Sequence, residues 1–470
     1  MVKLCFPWIN KELAAVKDPR RDHPSRKYPV EFLLWLGMLM FIVQSGSRRQ
    51  YDLDKDTGAF LLNALALAGL EEAGVGKLAT AETVDDLLQK LDPGQLRGLR
   101  RKMVFALIRD KRLKGCLYKG LWWRLVVDGT TIYSFSRRHC PHCLTRKSSK
   151  TGVTTYYHQV LEFKLVSPDG FAISLDSEFI VNTDGQAEAA AQLEALDPEA
   201  AEGDETFKDL AEKAKQDSEV KAFYRGAARV KEQWPKMPFL LLGDGIYANA
   251  KVMRLCRMYG WRFCLSLKDN LPTLKREAEA ALAEAAPKSH RTAEGAFQEL
   301  RCAEWLKHRD VTVHVLCCVE TVAGADGVAT STTFLWVTNL LPSAEGLDKL
   351  ANKAGRQRWK IENQGFNVQK NHGYNIEHGF GVTGHAWENY YLLAQIVHII
   401  AQMVTMTDAL HKLPSRREAK RPGKPPTLLA VFKSLRNFAK RLCEAFRYCP
   451  PTWTDVATLG KLQLRYLGKL

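Results

Sequence analysis

Two stretches decide the fold: Arg124-Leu125-Val126-Val127-Asp128-Gly129-Thr130 and Pro238-Phe239-Leu240-Leu241-Leu242-Gly243-Asp244-Gly245. Each is a short, continuous apolar run, the pattern of a strand buried on both faces rather than of an amphipathic helix. Each ends in an acid followed by glycine. Strand ends are where α/β folds expose functional groups, and glycine lets the chain turn away and leave the carboxylate exposed. One Asp-Gly pair is more often a turn than a site. Two at matched strand ends suggest carboxylates converging from neighbouring strands, a hard, oxygen-rich site suited to Mg²⁺ or Mn²⁺.

Working outward, 154–165 and 171–180 read as strands, and 183–217 is Ala- and acid-rich. A helix over 248–259 leads to a strand over 261–267, and this order predicts a mixed α/β sheet. Residues 296–340 are β-rich again, with strands over 311–319 and 333–337. A long helical pattern follows over 347–362, then a helix over 386–406. Upstream, 1–118 reads as helical. Thr83 to Asp86 has capping-box spacing, Asp92-Pro93-Gly94 breaks the chain, and Leu96, Leu99, Met103, Leu107 and Ile108 mark one face of a basic helix.

The chain has 470 residues, enough for about three domains at roughly 150 each. Apolar residues make up 46% and charged residues 26%, which supports sizeable cores and argues against wholesale disorder. Lys and Arg number 68 against 52 Asp and Glu, a net +16 that implies a polyanionic partner, nucleic acid before an anionic membrane surface. The excess is clustered: Arg97 to Arg124 and Lys412 to Arg441 each hold ten basic residues and one acid. Such runs are either solvated faces or nucleic-acid contacts. The longest apolar runs, Phe32 to Val43 and Tyr390 to Met406, are too short or too polar to span a bilayer. No signal-peptide core precedes Pro7, and the eleven cysteines are scattered, so the sequence predicts a cytoplasmic protein with reduced thiols.

The third acid lies in Arg356-Gln357-Arg358-Trp359-Lys360-Ile361-Glu362-Asn363-Gln364-Gly365-Phe366-Asn367. Arg358 and Glu362 are four apart and share a helix face. They make either a surface ion pair or an acid that completes a metal site beside a phosphate-holding Arg. The three motifs together resemble the DDE transposases of bacterial insertion sequences, specifically the insertion-sequence-four-like group, over about residues 120–405. The resemblance implies an α/β fold with an RNase H-like mixed-sheet catalytic core over 119–405. That core would carry a β-rich insertion at about 285–345. Outside the stretch the resemblance covers, the helical pattern and basic helix make 1–118 a DNA-binding or equally a packing domain, and 406–470 reads as a basic helical region. Asp128, Asp244 and Glu362 match the family's metal-binding acids. The family's last motif runs Tyr, two residues, Arg, three residues, Glu, six residues, Lys. Arg358 and Glu362 fit it, whereas Gly355 stands at the Tyr position and Gln369 at the Lys position, with Lys370 one residue late.

By this resemblance two Mg²⁺ or Mn²⁺ ions, about 3.5 to 4 Å apart, would activate water and stabilise the leaving oxygen, and a DNA 3′-hydroxyl could then attack in strand transfer. Arg358 and Lys370 would grip phosphates, and Trp336, in the β-rich insertion, would stack on a flipped base. Trp305 is a similar candidate, and core packing is the competing role for both. The implied partners are double-stranded DNA, as terminal inverted repeats and target, and a second copy of the chain when two ends are synapsed. No membrane is implied, and the location would be the nucleoid.

His139-Cys140-Pro141-His142-Cys143 is a Cys-x₂-Cys knuckle. It supplies two ligands of a structural Zn²⁺, which wants four, and His139, His142 or His158 could complete the set. A thiol-rich surface loop is the other reading. Basic neighbours suit DNA contact in both. Two further functions fit the sequence: a transposase-derived DNA-binding protein with a silent core, and a metal-dependent nuclease without strand transfer.

Overall fold

In a computed structural model, described for residues 2–21, 26–195, 205–293, 295–323, 328–405 and 432–451, eleven strands form one mixed sheet. The strands are β1 (Leu117–Tyr118), β2 (Trp122–Phe135), β3 (Leu144–Lys147), β4 (Thr154–Val166), β5 (Ala172–Ile180), β6 (Phe239–Gly243), β7 (Arg262–Ser266), β8 (Lys288–Arg291), β9 (Phe297–His308), β10 (Val311–Ala323) and β11 (Ala329–Thr338). Their order is β3-β4-β2-β6-β7-β11-β10-β9-β8, with β1 on β2 and β5 on β4. The chain forms two compact units. A sheet unit comprises 113–130 and 159–365; a helical unit comprises the described residues of 1–112, 131–158 and 366–470.

In the sheet unit, β2, β6 and β7 are parallel neighbours, with pairing from Trp123↔Phe239 to Val127↔Gly243. Leu125, Val126, Val127 and Phe239 to Leu242 are all fully buried. Helix Glu219–Gln233 precedes β6 and helix Ala250–Tyr259 joins β6 to β7, the crossovers that parallel strands require. Gly226 lets the first helix lie flat: a Cβ there would strike the Phe163 ring on β4. The β-rich segment expected at 285–345 is an antiparallel meander, β8 to β11. It docks on β7 through Trp336↔Ser266, Val337↔Leu265 and Thr338↔Cys264.

The helical pattern over 347–362 is not one helix. An α-helix, Leu347–Lys353, ends at Ala354 (φ −126°, ψ −75°). A 3₁₀ turn, Gly355–Arg358, follows, and then a π-helical turn, Ile361–Phe366. Gly355 explains the break: a Cβ there would lie 2.5 Å from the Trp336 indole, so the backbone is drawn against that ring.

In the helical unit, Val30–Ile42 and Ala386–Thr405 pack together. Val30–Ile42 is apolar all round, as a core helix is. Among the described residues no helix is long and apolar enough to cross a membrane. The helix expected to begin at Thr83 starts earlier, at Ala81, because Thr80 is its cap: Thr80 Oγ1 accepts from the Thr83 N–H at 3.3 Å. Asp92-Pro93-Gly94 starts the basic helix Pro93–Arg109, with the Asp92 carboxylate accepting from the Gly94 N–H at 2.9 Å. Leu96, Leu99, Met103 and Leu107 are buried, as the spacing predicts. Arg100 of the first basic run is buried as well. In the sheet unit Arg124 is buried on the carbonyls of Lys353 and Gly115, so it holds structure rather than a partner. Helix Leu435–Tyr448 docks on Gly58–Ala68, where Asn63 Nδ2 donates to the carbonyls of Phe446 (3.1 Å) and Cys449 (2.8 Å). Lys412, Arg416, Arg417, Lys420, Arg421 and Lys424 of the second run lie outside the described residues.

Candidate active site

Asp128 and Asp244 each follow the last residue pair of two neighbouring parallel strands, Val127↔Gly243. Register therefore places Asp128 and Asp244 at neighbouring positions, one residue beyond the last pair of these two strands. The glycines do different work from that expected. β2 does not turn away at Asp128 but runs on to Phe135. Gly129 is small because Glu219 needs the space: a Cβ at 129 would collide with the Glu219 carboxylate and lie 2.7 Å from Gln159 Nε2. Asp244 leads into a 3₁₀ turn, Gly245–Tyr247, and a Cβ on Gly245 would press on the Lys268 stem at 3.0 Å.

Arg358 ties the third acid in. Its Nη1 donates to Glu362 Oε1 at 2.7 Å and lies 3.6 Å from Asp128 Oδ2. Arg358 is 8% exposed, with its guanidinium 4.2 Å from the Trp359 ring. It is no surface helix partner, because it bridges two acids in a mostly buried setting. Lys268, just beyond the end of β7, lies 2.8 Å from Asp244 Oδ1 and donates to Oδ2 at 2.9 Å. Glu219 heads the helix Glu219–Gln233, where Ser218 is the cap, and accepts from the Tyr247 hydroxyl and from Gln159 Nε2 at 3.2 Å.

The electrostatics separate the two aspartates. Burial is the main cause that pushes the Asp128 carboxyl up to about 7; the charges of Glu219 and Glu362 add to this, and Arg358 and the Gly129 N–H offset part of it. Burial also opposes ionisation of Asp244. There the Lys268 hydrogen bond, the Gly245 N–H and the charges of Lys268 and Arg358 outweigh it and hold the group below its ordinary value.

The sequence reading missed Glu219, Lys268 and Tyr247. Lys268 was findable, since it lies at the same sheet edge as the two aspartates. Glu219 stands in Lys215-Gln216-Asp217-Ser218-Glu219-Val220-Lys221, where the sequence alone attaches no chemistry to the acid. Asp176 and Glu178 are occupied by Arg229 and Arg225 at 2.6 to 2.7 Å. Trp336 is 4% exposed, stacked on Phe334 (5.7 Å) and packed over Gly355, whereas Trp305 is 67% exposed with φ +63°. Lys370 belongs to the helical unit and pairs there with Glu377 at 2.7 Å. Gln369, at the family's Lys position, is fully buried on Gln395 (2.8 Å) and His398 (3.1 Å), a place that would strand a charge.

Among the described residues, one set of His, Cys, Asp and Glu ligand atoms lies within 4.8 Å of one another: His139, Cys140, Cys143 and His158, all in the helical unit. No protein-family model matches the chain, and no curated protein matches it.

Proposed function

We propose that this chain is a DDE-type transposase: its sheet unit is an RNase H-like core that cleaves phosphodiester bonds at transposon ends and joins the 3′ ends to target DNA. The observation that carries the reading is the register of β2 and β6, which aligns Asp128 with Asp244 just beyond the last pair of the two strands. The sheet supports it: β5-β4-β2 is followed by β6 and β7 in parallel, joined through helices.

The donor set fits Mg²⁺ or Mn²⁺, being all carboxylate. Burial among acids leaves Asp128 favouring a nearby positive charge. Arg358 and Lys268 supply such charge at the acids here, so ligation by Asp128, Asp244 and Glu362 requires both side chains to give way. Bound divalent ions would supply the activated water and the charge stabilisation of the leaving oxygen. The chain's own residues do the rest. Arg358, freed from Glu362, can hold a backbone phosphate by two parallel hydrogen bonds. Lys268 adds a mobile point charge at the same edge. Glu219, held by hydrogen bonds from Tyr247 and Gln159, adds negative charge beside Asp128.

The test is a plasmid assay with purified protein and the DNA that flanks its reading frame. Metal-dependent cleavage with joined product supports a transposase. Cleavage without joining indicates a nuclease, and end-specific binding without cleavage a silent binder.

A further inference from the structure

The helical unit carries a second site, built from soft ligands. Cys140 and Cys143 follow the end of β2, and His158 sits on β4. Cys140 Sγ lies 3.5 Å from Cys143 Sγ and 3.3 Å from His158 Nε2. Cys143 Sγ lies 3.8 Å from His158 Nε2 and 3.0 Å from His139 Nδ1. With Zn–S of about 2.3 Å and Zn–N of about 2.0 to 2.1 Å, the corners of a tetrahedron stand roughly 3.3 to 3.8 Å apart. Three of these four distances fall in that range, the fourth is 0.3 Å short of it, and all four ligand atoms lie within 4.8 Å of one another.

Ring packing fixes the histidines. His158 is 2% exposed and lies 4.6 Å from the Trp387 ring, and His139 lies 4.1 Å from Phe135 and 5.1 Å from His158. Cys143 is fully buried. His139 Nδ1 and His158 Nε2 face the two sulfurs, with Cys143 and His158 buried, so the atoms that would bind a metal are turned on one another. No carboxylate belongs to the set, which disfavours Mg²⁺ or Ca²⁺, and four protein ligands leave no open position for catalysis.

We propose that His139, Cys140, Cys143 and His158 bind one structural Zn²⁺, which staples the knuckle after β2 to β4 and so fixes a basic hairpin. The two thiols give up their protons on binding, and two thiolates with two neutral imidazoles balance the ion's charge. Between Ser136 and His158 there is no acid, while Arg137, Arg138, Arg146, Lys147 and Lys150 are present. Arg138 and Arg146 stack over Tyr156 (5.3 Å) and Tyr157 (5.6 Å). A loop of like charge this short repels itself, and a metal crosslink counters that repulsion.

The experiment is metal analysis of the full chain, purified without chelators or a metal-affinity tag. About one zinc per chain is expected. The Asp128→Asn/Asp244→Asn/Glu362→Gln variant should keep it, Cys140→Ser should lose it, and Cys302→Ser, outside the cluster, should keep it. Should Cys140→Ser fail to fold, wild type decides alone: a thiol-specific mercurial should release zinc in step with modification, and Co²⁺-exchanged protein should show the visible bands of a four-coordinate thiolate site. Zinc-free protein with freely reactive Cys140 and Cys143, a Cys140–Cys143 disulfide in fresh protein, or zinc lost only in the triple acid variant would each overturn the proposal.

Discussion

Asp128 is held where its charge is costly. Between about pH 4 and 7 the folded chain keeps a proton on this group that the unfolded chain has lost, so its contribution favours folding at low pH and fades as pH rises through about 7. Asp128→Asn keeps the shape and removes that cost. Metal-free Asp128→Asn protein should melt higher than wild type at about pH 8, by on the order of 1 to 3 kcal/mol, and its stability should decline less between about pH 4 and 7. The same change should abolish cleavage, as should Asp244→Asn and Glu362→Gln, with DNA binding largely kept. A variant with full metal-dependent cleavage would remove that acid from the site. Gly129 gives a second residue-scale test. Gly129→Ala should cost roughly 1 to 3 kcal/mol, because the methyl meets the Glu219 carboxylate. Combined with Glu219→Ala, the loss should be smaller than the sum of the two single changes. Denaturant melts of the three variants measure this, and strict additivity would mean that Gly129 is small for another reason. Neither the pKa of Asp128 nor the role of Gly129 was legible in sequence, since the first depends mainly on burial in the fold and the second on Glu219, ninety positions beyond Gly129.

At the scale of elements, the parallel pair β2 and β6 was legible because a strand buried on both faces writes a continuous apolar run. The broken segment 354–366 was not. Its spacing alone reads as a helix, and what breaks it is an indole from β11 lying over Gly355. That break gives Arg358 its reach: it leaves a 3₁₀ turn, and Glu362 sits in the first turn of a π-helical segment. The contact is thus not a regular i,i+4 helix pair, which would contribute only about 0.3 to 0.5 kcal/mol. Arg358→Lys preserves charge but not the planar fork. It should weaken binding of transposon-end DNA and cleavage by roughly tenfold or more, while metal affinity changes little, because Arg is not a ligand. Binding of random duplex should change less than binding of ends. Wild-type end binding and cleavage by folded Arg358→Lys protein would leave the phosphate role unsupported.

At the scale of the whole molecule, composition implied a polyanionic partner, but the structure divides the basic residues unequally. Arg100 and Arg124 are buried, and Lys102 is paired with Glu12, so the first run offers less free charge than its count suggests. Interleaving also hid the units from the sequence: 131–158 and 366–405 belong with the N-terminal helices, although strands β2 and β4 run through their boundaries. Binding to duplex DNA should fall steeply with salt, since each neutralised phosphate releases condensed counterions and contributes about −0.9 to the slope of log K against log salt. Truncation after residue 411 is a poor probe of the second run. It would also remove Leu435–Tyr448, which docks on Gly58–Ala68 and would leave Phe60 without its Phe446 neighbour at 5.4 Å. The cleaner variant changes Lys412, Arg416, Arg417, Lys420, Arg421 and Lys424 to Gln and leaves that helix in place. If all six meet phosphates, the slope should become shallower by up to about 5, with sequence preference unchanged, because phosphate contacts carry no base information. Affinity measured across a salt series on one end-containing duplex and one random duplex decides it. Equal slopes for wild type and variant on both would make this run a solvated face, and would move the electrostatic footprint to the exposed part of Pro93–Arg109 and to the hairpin beside His158.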